Sequence, residues 1–293
     1  MILSIFAAIF LQAGTSFWSY WGDGKSEINR YETIQNRYGE ERKTEEILIY
    51  VTEPFNLKKQ VKSDSYDFEN KNHAQVLKLN HIKDFQTGLY DYNLMTSVFA
   101  AVDPFKLNDT KYNKGEVIKV NFTGQDWCGH VFHQLNRLQE GMRSVHYSYF
   151  ESEGDGTQVL SLKNNTMFSD HLFIAVRELI NDLPEGEIDL YPSLEFIRLF
   201  HKPMESYTST IKKSADIFQN NGNEVPVHVF SISNKLFNWK FIIEKEYPKK
   251  ILYYEFSFND VIITKSKLVK SVRLPYWQLN KKGDEKYLKQ LGY

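Results

Sequence analysis

QVLKLNHIKDFQTGLYDYNLMTSVFAAV, residues 75–102, decides the fold class. It reads as two long strands joined near Thr87-Gly88. Along the second, Leu89, Asp91, Asn93, Met95, Ser97 and Phe99 oppose Tyr90, Tyr92, Leu94, Thr96, Val98 and Ala100, because successive side chains of an extended chain point to opposite faces. Neither set is cleanly polar. A sheet covered on both sides, or one lining part of a cavity, is therefore expected.

Working outward, EILIYVTEPF over 46–55 reads as a strand stopped by Pro54, and residues 56–74 as a polar loop without period. After a turn-rich break at 103–115, strands are expected near 116–123, 126–136, 144–152 and 157–163. A second group follows near 188–191, 206–213, 225–232, 238–246, 251–258 and 261–271. Short strands at this spacing indicate an antiparallel meander. Between the groups, MFSDHLFIAVRELIND at 167–182 places Phe168, Leu172, Val176, Leu179 and Ile180 on one helical face, with Ser169 or Asp170 as cap and Pro184 with Gly186 as stop. The expected fold is mainly β (α+β), an antiparallel meander forming an open or closed barrel-like sheet with one amphipathic covering helix. It occupies 17–293 as one β-rich domain, divisible into strand-rich halves 17–165 and 185–293 joined by the helix 167–182.

Residues 2–11, ILSIFAAIFL, are uninterrupted apolar and are followed by small residues, the pattern of a signal peptide over 1–16 cleaved after Ala13 or Ser16. The run is too short to span a bilayer, and no transmembrane span is expected. Lys plus Arg at 36 against Asp plus Glu at 37 give a net charge of -1, and no basic stripe appears. That argues against a nucleic-acid partner. One cysteine in 293 residues excludes an intrachain disulfide and a Cys-only zinc site, and with export it suits a bacterial periplasm. Aromatic residues are 15% of the chain, in keeping with β-structure.

Chemistry concentrates in QDWCGHVFH, residues 125–133. Read as one strand, it puts Asp126, Cys128 and His130 on a single face and Trp127 and His133 on the other. Thiol, imidazole and carboxylate are the ingredients of nucleophilic catalysis. Neighbours at i and i+2, however, stand parallel about 6.5 to 7 Å apart rather than converging. The competing reading is a small buried Cys128, a Gly129 that permits close approach and a packed Trp127. A hairpin turn at 138–141 would bring His133 near His146, a weak metal pair without a third ligand, and Cys128 near Glu151. ESEGDG at 151–156 lacks the calcium-loop pattern and reads as a solvated acidic hairpin end. Phe17, Trp18, Tyr20 and Trp21 crowd ahead of the Gly22-Asp23-Gly24 turn as an edge of the core. Ligand contact is the second reading there, and Trp18, Trp21, Tyr90, Tyr92 and Trp127 are the candidate ligand-binding residues. No nucleotide-binding loop, zinc-protease helix or nucleophile elbow occurs, and no cofactor is expected.

The strings WGDGKSE (21–27), RYGE (37–40), LIYVTEPF (48–55), VLKLN (76–80), DFQTGLYDYNLMTSVF (84–99), QDWCGHVFHQL (125–135), YFESEGDG (149–156), EKEYPKKIL (244–252) and SVRLPYWQLNKKGDEKYLKQLG (271–292) resemble a family of exported gram-negative proteins, some of which go under the label "septum formation inhibitor Maf". The chain lacks the Ser-x-Ser-x-x-Arg loop of the Maf nucleotide pyrophosphatases, so the resemblance implies export and carries no activity or site residue. The C-terminal meander also resembles periplasmic open-barrel carriers of lipid or lipoprotein at the level of the fold. Two functions follow. One is a non-enzymatic envelope protein whose aromatic-lined sheet holds a lipid, another apolar small molecule or an envelope-protein partner. The other is a hydrolase or transferase using Cys128 with His130 or His133.

Overall fold

The computed structural model describes residues 16–65, 67, 69–107 and 110–293. Of the expected leader, all but Ser16 lies outside the described residues. The first element is a short helix, α1, over 16–21.

The chain then enters β1 (Ser26–Arg37), the strand on which both halves meet. β1 pairs on one side with β2 (Glu40–Asn56) and on the other with the last strand, β18 (Val261–Leu274). From β2, which also carries the short β3 (Val61–Lys62), the sheet runs through β4 (His73–Thr87) and β5 (Tyr90–Ala101). It continues through β8 (Val117–Asp126), β9 (Gly129–Arg137) and β10 (Met142–Ser148) to β11 (Gly156–Leu160). A separate ribbon, β6 (Phe105–Leu107) with β7 (Thr110–Tyr112), branches off before β8. From β18 the sheet runs back through β17 (Ile251–Phe258), β16 (Phe237–Glu244), β15 (Asn223–Ser233), β14 (Tyr207–Asn220) and β13 (Gly186–Tyr191) to β12 (Thr166–Phe168). Every pairing is antiparallel except β12 with β13. β11 and β12 are the two ends and do not pair, so the sheet is open and not a closed barrel.

β1 was not expected as a strand. SEINRYETIQNR alternates correctly, but its inward set is Glu27, Asn29, Tyr31, Thr33 and Gln35, mostly polar and all buried. Most of these side chains find partners on other elements, although Asn29 Oδ1 and Gln35 Nε2 are buried without one. Glu46 accepts from Thr33, Ser266 and Tyr254 and also meets His81, while Thr264 donates to Gln35. RYGE is itself the β1–β2 turn, with Tyr38 and Gly39 both at positive φ, as a two-residue hairpin demands. Pro54 does not stop β2: the pairing with β4 runs on to Asn56, and the Pro54 carbonyl still accepts from Ser63 N at 2.9 Å.

The interior is occupied by two helices. The expected helix over 167–182 is shorter: 166–168 form β12, 169–171 a tight turn, and α2 spans Leu172–Glu178. Sheet pairing of β12 with β13 takes the first turn away from the helix. Leu172 through Arg177 are all buried, so α2 plugs the sheet instead of covering it with one amphipathic face. A second helix, α3 (Leu194–Phe200), follows; Ser193 Oγ accepts from Phe196 N at 3.2 Å and His201 closes it in the left-handed region.

The Phe173 ring on α2 lies 4.9 Å from His81 on β4 and 5.3 Å from Phe241 on β16, centroid to centroid. Those strands are five steps apart in the sheet, about 24 Å if it were flat. The sheet therefore curls around α2. On the same concave side α3 packs Phe196 against Phe237, Phe256 and Phe258 and pairs Glu195 with Lys83 at 3.0 Å. Beside the helices there remains a cavity of about 20 Å³, room for about one water. On the convex side a smaller core of Phe55, Leu57, Val76, Phe99 and Ile118 is covered by Phe105 and Leu107 of the ribbon, so part of the sheet is covered on both faces.

Candidate functional site

The 125–133 stretch is a hairpin and not one strand. β8 ends at Asp126 and β9 begins opposite it at Gly129, leaving Trp127 and Cys128 as the turn. Asp126 Oδ1 accepts the N–H groups of Cys128 and Gly129 at 2.7 and 3.2 Å. The alternation argument fails here because the chain reverses between the residues being compared. Cys128 is exposed, and among the described residues no hydrogen bond joins its thiol to an imidazole. The expectation of a buried Cys128 and a packed Trp127 is corrected. Turn-tip residues project beyond the sheet, and Trp127 is 69% exposed, held by one hydrogen bond from Nε1 to Asp91. His130 is exposed opposite Gln125.

Asp126 does make a long-range connection. Its Oδ2 accepts from Arg198 Nη2 of α3 at 3.1 Å, and both side chains are nearly buried. The Arg198 guanidinium also lies over the Phe150 ring, 4.1 Å from its centroid. One turn on, His201 Nδ1 meets Glu153 Oε1 at 2.5 Å, and Glu153 Oε2 accepts from Ser148 Oγ at 2.5 Å. The β10–β11 connection, expected as a solvated acidic end, is thus fastened to the end of α3 by Phe150 and Glu153. Glu151 keeps the exposed position expected of it.

His133 and His146 face each other across β9 and β10, as the hairpin reading requires, with ring centroids 5.3 Å apart. His133 Nε2 lies 2.7 Å from Ser144 Oγ. Burial, with His146 nearby, pushes the His133 pKa down to about 4, so the ring is neutral near pH 7. His146 Nδ1 is buried without a partner, and so is Arg198 Nη1. Among the described residues no group of three or more His, Cys, Asp or Glu is placed to hold a metal. Gly156 allows the pair to exist, since a Cβ there would stand 2.5 Å from the His146 ring.

These residues enclose a cleft of about 660 Å³. Phe122, Val131, Leu194, Ile197 and Met204 form its apolar floor, β11 from Gly156 to Gln158 one wall, and His201 to Glu205 the other. The structure therefore brings His133 and His146 into the lining, connects Asp126 to it only through Arg198, and leaves Cys128 and His130 outside. Arg198 and His201, which complete the region, lie on a helix that the strand-oriented reading did not assign. Ser193 ahead of the apolar Leu194, Phe196 and Ile197 was the available signal.

The candidate aromatics form no single site: Trp18 and Trp21 lie at α1, whereas Tyr90 and Tyr92 are in ring contact and Trp127 bonds Asp91 between them. Trp21 is core, its Nε1 donating to Glu178 at 3.0 Å, and Trp18 on α1 makes an edge contact with Phe17. Tyr92 stacks on Phe85 and shares hydroxyl contacts with Tyr38, to which Tyr90 also donates. No helix among the described residues is long and apolar enough to cross a membrane. No protein-family model, no curated protein and no solved structure matches the chain.

Proposed function

We propose that the protein is a non-enzymatic interaction protein of the bacterial cell envelope, and that its binding seat is the cleft between β11 and α3. The interior beside α2 leaves only about 20 Å³, whereas the cleft offers about 660 Å³, and the observation that carries this reading is that an end strand of the sheet, β11, lines it. Pockets for small molecules occupy about 300 to 1,000 Å³. Placement in the envelope rests on the apolar run 2–11, the single cysteine and the resemblance to exported proteins.

Of the two occupants considered, a protein segment is favoured over a lipid. The cleft has an apolar floor, but Glu153, Asp155, Lys202 and Glu205 ring it. An acyl chain would strip water from those groups without replacing their hydrogen bonds, whereas a peptide supplies donors and acceptors. Native mass spectrometry of the protein from its own envelope fraction, with lipid extraction of the same sample, tests the choice. The expected result is a chain free of stoichiometric lipid; one lipid retained per chain would defeat the proposal.

A further inference from the structure

The two ends of the sheet are treated differently. β12 is short, and Met167 and Phe168 are buried against the core. β11 is paired only with β10, from Met142 opposite Leu160 to His146 opposite Gly156. Its sequence, GTQVL, has no proline and no charge, the devices that ordinarily blunt a free edge. Thr157, Gln158 and Val159 are exposed, Val159 at 61%. This unguarded edge is also a wall of the cleft.

We infer that β11 accepts an extended peptide segment as an added strand, lying in the cleft between β11 and residues 201–205. The inference rests on the reading of the cleft as an interaction site and names its partner class. An added strand takes its place about 4.8 Å from β11, hydrogen-bonding to the free side of that strand. Side chains alternate, so every second residue of the segment faces the floor of Phe122, Val131, Leu194, Ile197 and Met204. Apolar residues at alternate positions are therefore required. Around the cleft Lys202 stands against Glu153, Asp155 and Glu205, Arg198 being paired with Asp126, so a strongly acidic segment is disfavoured. A second copy of this chain fits less well, because its β11 would bring a whole sheet into a cleft already walled by 201–205.

The test is selection of random dodecapeptides on the full chain, with counter-selection on Gln158→Pro and Thr157→Pro, followed by hydrogen exchange of the complexes. Proline at whichever position points its N–H outward removes a donor and puts a ring in the path of the strand. The expected result is enrichment of peptides with alternating apolar residues that slow exchange at 156–160. Their affinity should fall about tenfold or more in one of the proline variants and persist in Gln158→Ala, which keeps the backbone. Thermal melting of each variant separates lost binding from lost folding, and the exchange result on the unaltered chain stands independently. Peptides that protect 194–205 but not 156–160 would overturn strand addition and leave the cleft reading intact. No enrichment over the proline variants would overturn both. Self-association of the free chain that the proline variants abolish would assign the edge to a second copy and overturn the peptide.

Discussion

Phe173 is the side chain on which the two halves of the sheet close. Its ring touches His81, Trp239, Phe241 and Tyr254, which lie on both sides of β1. Phe173→Ala should cost about 3 to 5 kcal/mol in urea unfolding; a loss below about 1 kcal/mol would show that the sheet does not close on this ring. Glu27 is the second such residue. It is fully buried and receives Arg177 Nη1 and Nη2 at 2.7 and 3.1 Å, Tyr20 at 2.5 Å and Asn29 at 2.6 Å. Burial pushes its carboxyl up, but Arg177 and the hydrogen bonds outweigh burial and hold it below the usual range. Glu27→Gln leaves a buried guanidinium uncompensated and should cost about 3 to 5 kcal/mol. The exposed Glu41–Lys265 pair, removed the same way, should cost less than about 1 kcal/mol. Similar losses in the two variants would count against the buried pair. Asp170 provides a pH signature. It is buried with Oδ2 accepting from Leu194 N at 3.0 Å, and burial pushes its pKa up to about 7. Between about pH 4 and pH 7 the folded chain then holds a proton that the unfolded chain has released, so this group lowers stability as pH rises. Asp170→Asn keeps an acceptor and abolishes the titration. Relative to the parent it should gain about 1.4 kcal/mol per pH unit across that window, measured by urea unfolding at pH 5 and pH 6.5; a pH-independent difference would refute the assignment.

At the scale of elements, the legible parts were those whose burial is simple. β4 and β5 were evident because their alternating sets are apolar enough to read, and the β9–β10 register followed from the hairpin between them. β1 was illegible because its inward residues are polar, and the partners Arg177, Ser266 and Thr264 come from remote parts of the chain. Local pattern cannot register a hydrogen bond supplied from more than a hundred residues away. The Trp127-Cys128 turn was missed because nothing in QDWCGHVFH resembles the usual Asn-Gly or Asp-Gly hairpin signal. The side chain of Asp126 supplies the turn instead, and the same carboxylate fastens α3 through Arg198. Asp126→Ala should therefore act on two elements at once, speeding hydrogen exchange both at 127–129 and along 194–200. Faster exchange at the turn alone would show that Arg198 is not anchored there. Cys128 reports on the same geometry. As an exposed thiol it should take one label per folded chain from a maleimide, read by intact mass, whereas a thiol that labels only in denaturant would contradict the turn.

At the scale of the whole molecule, one open sheet is curled around two short helices, and the polar row of β1 lies at its centre. The aromatic content that suggested a lined cavity is used instead to pack Phe173 and Phe196 into the concave face. With the interior filled, the cleft where the last hairpin and α3 stand apart is one of several surface spaces of about 570 to 670 Å³. The most direct measurement is photo-crosslinking in the cells that make the protein, with a benzophenone side chain placed at Gln158 in the cleft wall or at Asn221. Asn221 is in the β14–β15 turn, at the far end of β14 from residue 207. The account predicts a discrete protein adduct from Gln158 and none from Asn221. No adduct from Gln158, or equal adducts from both positions, would contradict it.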